Sequence, residues 1–86
     1  MNDLTHLTNK QTDYRRALCV ALSLLDKARR RLVHVQAGGR VEWCPSLALR
    51  LVRDEVQGYE RLAEQYASGV ARTGAAIERL KERAAA

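Results

Sequence analysis

Apolar residues recur through the first half of the chain in alternating steps of three and four. Leu4, Leu7, Gln11, Tyr14, Leu18, Ala21, Leu25, Ala28, Leu32 and Val35 form one line, and only Gln11 on it is polar. A second line runs through the other half: Leu49, Val52, Val56, Tyr59, Ala63, Tyr66, Val70, Thr73, Ile77 and Leu80. Each is sustained over more than four heptads, the pattern of helices packed along their length. The expected fold is all-α, an antiparallel hairpin of two long helices in a single domain of residues 1–86.

Local signals set the expected ends. Thr8 and Gln11 fit a capping box, which starts the first helix near residue 9, although the seam reaches back to Leu4. Gly38-Gly39 is a left-handed stop, so that helix ends near 36. Pro45 suits the first position of the second helix, where its missing N–H costs nothing, and the pattern continues to about 83. The connecting stretch admits two readings. Val33 and Val35 alternate, as do Val41 and Trp43, around the two glycines, the pattern of a small β-hairpin over 32–44. Leu32 and Val35 also stay on the helical seam, and a lone hairpin is marginal, which favours helix to 36 and an irregular loop over 37–44. The helices then differ in length, about 42 Å against about 58 Å. Three resolutions are open: the first helix begins earlier, the second breaks near Ser68-Gly69, or a second subunit covers the overhang.

The second helix carries a surplus apolar stripe: Leu47, Leu51, Gly58, Leu62, Gly69 and Ala76 lie roughly 100° around from its seam. Arg50, Asp54, Arg61, Glu64, Glu78 and Glu82 occupy the opposite side. Val20, Leu22 and Leu24 lie beside the seam of the first helix. A hairpin needs one seam per helix, so a homodimer forming a four-helix bundle is expected. Its interface is assigned to Leu22, Leu24, Leu51, Gly58, Leu62, Gly69 and Ala76, although a hetero-partner would cover the same residues.

Composition supports a small folded helical chain. Leu, Ala and Arg dominate the 86 residues, with 47% hydrophobic, 29% charged and no Phe. No basic and apolar leader is evident, and the longest apolar run, ALCVALSLL, is far short of a membrane span. A cytoplasmic chain with reduced thiols at Cys19 and Cys44 is the expectation, with no membrane partner.

The net charge of +5 is uneven. The second helix is nearly neutral by count. The first holds Lys10, Arg15, Arg16, Lys27, Arg29, Arg30 and Arg31 against three aspartates. Arg15, Arg16, Arg29 and Arg30 recur after two heptads and align along its outer side. Arg40 and Trp43 add a cation and an aromatic anchor at the loop end, although a lone Trp there more often caps the hairpin. Such a strip complements anions, either an acidic protein surface or the phosphate backbone of nucleic acid. Nothing adds base readout: helix-turn-helix spacing, zinc fingers and aromatic platforms are absent.

Catalytic patterns are absent too. There is no phosphate loop, metalloprotease motif or nucleophile elbow, and His6 and His34 have no zinc-ligand spacing to the cysteines. His34 with Glu42 and Cys44 is a Cys-His pair on paper, but a His near a helix end is more simply an exposed side chain complementing the dipole. No cofactor or metal is expected. The tiny, Arg- and Ala-rich, helical, siteless profile is similar to phage or mobile-element inhibitors of host machinery, anti-CRISPR proteins among them. This likeness implies a non-catalytic dimer docking on a larger, nucleic-acid-handling complex through the Arg-rich end. A nucleic-acid-binding dimeric regulator is the alternative.

Overall fold

The computed structural model describes residues 3–38 and 45–85. Helix α1 runs Asp3–Gln36 and helix α2 runs Pro45–Ala85. They pack against each other as an antiparallel hairpin, with Tyr14 against Gly69 at one level and Arg31 against Glu55 at another. The molecule is a rod of 62 × 17 × 15 Å.

The two heptad lines are the packed seam. Every member of both is buried or half-buried, from Leu4 against the end of α2 to Val35 near the loop. Leu25, Ala28 and Val56 form the core, with Leu32 and Tyr59 packed on it. Ala21, Ala48 and Ala63 are also buried. Alanines at these levels let the helix axes approach closely, and Ala28 retains no exposure. A polar level interrupts the apolar seam: Gln11 Nε2 donates to the Val70 carbonyl at 3.3 Å, beside the buried Thr73. Thr73 meets its own donor requirement locally, at the Gly69 carbonyl 2.8 Å away.

One boundary expectation changes, two open readings close, and the end of α1 at Gln36 is as expected. The cap at Thr8 does not form, because α1 begins by Asp3 and the Thr8 carbonyl accepts from Thr12 Oγ1 at 3.0 Å inside the helix. Tertiary burial of Leu4 and Leu7 outweighs the local signal, and the extra turns shorten the overhang of α2 to about 10 Å. The break near Ser68-Gly69 is also absent, since α2 is continuous. Residues 32–36 are helical, so they supply no strand to a β-hairpin. Leu32 is held on the core cluster, and that burial decides the matter. Gly38, at φ +80°, ends α1 in the left-handed conformation, with its N–H bonded to the Val35 carbonyl. Residues 39–44 lie outside the described residues.

Two helices make a thin body. A folded monomer of 9.7 kDa ordinarily exposes about 5,100 Å², whereas this chain exposes 6605 Å². The surplus, about 1,500 Å², follows from the rod shape, which buries one seam and leaves each helix wet over most of its circumference.

Candidate binding surfaces

The Arg cluster at the loop end is largely paired. Arg29 reaches Glu60 at 3.4 Å and Arg31 pairs with Glu55, both across the seam. Arg30 holds Asp26 at 2.9 Å one turn back on α1. Residues two apart on a helix point about 200° apart, so Arg29 and Arg31 clip opposite flanks of the hairpin. Arg30 points away from α2. The three arginines therefore do not form one strip. Arg15, Arg16 and Lys27 are exposed and make no ion pair among the described residues. Arg40 and Trp43 lie outside the described residues, as do Glu42 and Cys44.

The proposed interface residues also separate. Leu22 and Leu24 are both exposed, at 48% and 37%, but the same 200° step puts them on opposite flanks. Leu24 lies one heptad from Arg31, on the flank clipped by Glu55. On α2, Leu51, Glu55, Gly58 and Leu62 follow steps of four, three and four, so they share that flank. Leu24 is level with the stretch from Gly58 to Leu62. Leu51 and Leu62 are exposed, and a Cβ on Gly58 would meet nothing within 4 Å.

Gly69 and Ala76 continue the same line, but the hairpin itself covers Gly69 and half-covers Ala76. Gly69 is buried under the Tyr14 ring, where an added Cβ would lie 2.7–2.9 Å from ring carbons. Ala76 is half-buried beside Leu7 in a cleft between the helices. The cause is helical drift. A heptad seam rotates about 20° per heptad around a straight α-helix, so over four heptads the seam of α2 swings toward the stripe. The two lines are distinct near Leu51 and merge near Gly69. Gly69 is thus not free to contact another chain as the stripe alone implied, and Ala76 can be reached only through the cleft it lines.

The drift divides this flank into two halves. Near the loop it presents leucines. Near the chain ends it presents two adjoining clefts of about 410 and 310 Å³ that share Leu7 and Ala76. Lys10, Arg72, Arg79 and Arg83 line them, with Asp3 as the single acid. Sequence reasoning missed this basic half because it counted the charges of α2 rather than rotating them. The signal was present: Arg50, Arg61, Arg72 and Arg83 stand eleven residues apart, a repeat that advances only about 20° per step. The glutamates 60, 64, 78 and 82 fall on a different line.

Among the described residues there is no group of three or more His, Cys, Asp or Glu side chains able to hold a metal ion. Among the same residues no helix is long and apolar enough to cross a membrane. Cys19 is an exposed free thiol and His34 is exposed near the end of α1. No family model, no curated protein and no solved structure matches the chain.

Proposed function

We propose that the chain is a non-catalytic protein-binding module, which works as a small helical homodimer and docks on a larger complex through its basic surface. The observation that carries this reading is the exposed leucine half of one flank: Leu24, Leu51 and Leu62 around the open Gly58. A standard interface hides about 800 Å² per partner, which the surplus surface of the rod can supply. A second copy turned end for end stacks leucine on leucine in a four-helix bundle. It also keeps the two arginine-lined halves apart, at opposite ends of the assembly.

At the loop end, the exposed Arg–Glu and Arg–Asp pairs are weak, typically ~0–1 kcal/mol each, so a partner's carboxylates can exchange with them. Pairing within the chain lowers the net charge that these cations present, which counts against a phosphate backbone, whose binding scales with the number of phosphates neutralised. An inhibitory role on a nucleic-acid-handling complex fits the small, siteless helical profile.

Light scattering across a concentration series tests the dimer. Leu51→Lys with Leu62→Lys should abolish self-association and Leu22→Lys should leave it intact; a wild type that stays monomeric throughout sinks the reading. Fluorescence anisotropy with labelled duplex DNA tests the alternative. Tight, salt-steep binding that Arg30→Glu with Arg31→Glu removes would install nucleic acid as the target.

A further inference from the structure

We infer that the cleft at the open end of the hairpin is a docking groove for an acidic amphipathic helix of a partner protein. The inference rests on reading the chain as a protein-binding module, but not on its being a dimer. The floor is apolar, built from Leu7, Ala76 and Leu80. The walls carry Lys10, Arg72, Arg79 and Arg83, none of which makes an ion pair among the described residues. This contrasts with Arg29, Arg30 and Arg31, which all have carboxylate partners.

Geometry and charge together select the occupant. Arg72, Arg79 and Arg83 are separated by one heptad and one turn, so their side chains leave α2 within about 40° of one another. The groove runs beside α2 from Gly69 to Arg83, about 21 Å, the length of four helical turns. A helix of that length can set apolar side chains on the floor at the usual three- and four-residue spacing. Its glutamates then reach the guanidiniums, which bind carboxylates in a planar, two-pronged fashion. A nucleic-acid backbone would satisfy the cations and leave the apolar floor uncovered. A second copy turned end for end would present its leucine half here, whose Glu55 is already paired with Arg31, and would leave the cations without carboxylates. An acidic helix fits both features.

The test is fluorescence anisotropy on the full chain with three labelled probes. The first is a peptide of about four turns, with leucines on one face and glutamates on the other. The second replaces the leucines with serine, and the third is a single-stranded oligonucleotide of equal charge. The first probe should bind at least about tenfold more tightly than either of the others. Arg72→Glu with Arg79→Glu should weaken it by at least the same factor, whereas Arg15→Glu with Arg16→Glu, an equal charge change on exposed positions elsewhere, should not. No binding of the first probe, equal binding of the serine peptide, or equal loss in the Arg15 and Arg16 variant overturns the inference. Tighter binding of the oligonucleotide through Arg72 and Arg79 makes nucleic acid the occupant and likewise overturns it. Light scattering on the same samples reads the dimer separately, so failure of the groove and failure of the dimer are distinguishable.

Discussion

Two glycines in the middle of α2 should respond in opposite directions to the same substitution. Glycine inside a helix costs about 1 kcal/mol relative to alanine. At Gly58 an added Cβ meets nothing within 4 Å, so Gly58→Ala should recover that amount, a rise in Tm of roughly 4–8 °C for a domain this size. At Gly69 the added Cβ would lie 2.7 Å from Tyr14 Cδ1 and 2.9 Å from Cγ. The atoms in its way belong to the ring itself, including the carbon nearest the backbone, so relief requires α1 to shift. Overpacking of this kind costs about 1–3 kcal/mol. Set against the same propensity gain, Gly69→Ala should be neutral to about 2 kcal/mol destabilising. Urea melts at one chain concentration would measure this, best in a Leu62→Lys background so that self-association does not enter. A Tyr14→Leu background should convert Gly69→Ala into a gain, which makes the coupling explicit. The reasoning is refuted if Gly69→Ala stabilises as much as Gly58→Ala, because the Tyr14 ring could not then sit on Gly69.

Other substitutions probe the seam and the ion pairs. Leu25→Ala should cost about 2–5 kcal/mol in a denaturant melt, since it removes a buried side chain from the only core cluster described. Ala28→Leu should be destabilising by about 1–3 kcal/mol, because the site has no exposure to spare. A double-mutant cycle on Arg31 and Glu55 should give a coupling below about 1 kcal/mol that fades with added salt, as both side chains are partly exposed. Gln11→Ala should cost about 1 kcal/mol through loss of its bond to the Val70 carbonyl.

The seam was legible because periodicity and burial report the same geometry: a residue at every third and fourth position faces the partner helix in any long hairpin. The start of α1 was misread because Thr8 and Gln11 resemble a cap locally, while Leu4 and Leu7 gain more from packing on α2. Gly69 was misplaced, and Ala76 only half placed, because the stripe and the seam are well separated near Leu51, and the drift of a heptad line around a straight helix closes that gap toward Gly69. The ion pairs of Arg29 and Arg31 depend on the register of α1 against α2, which no pattern within either helix reveals. The arginine-lined groove was hidden by a near-zero charge count on α2, although the eleven-residue spacing of its arginines was there to be rotated.

Sedimentation equilibrium from low to high micromolar concentration reads directly whether a second copy covers the leucine half of one flank. The expected mass is twice 9.7 kDa, reduced to the single-chain mass by Leu51→Lys with Leu62→Lys and unchanged by Leu22→Lys. A single-chain mass for the wild type at every concentration would contradict it, as would a dimer that survives Leu51→Lys with Leu62→Lys and dissociates with Leu22→Lys.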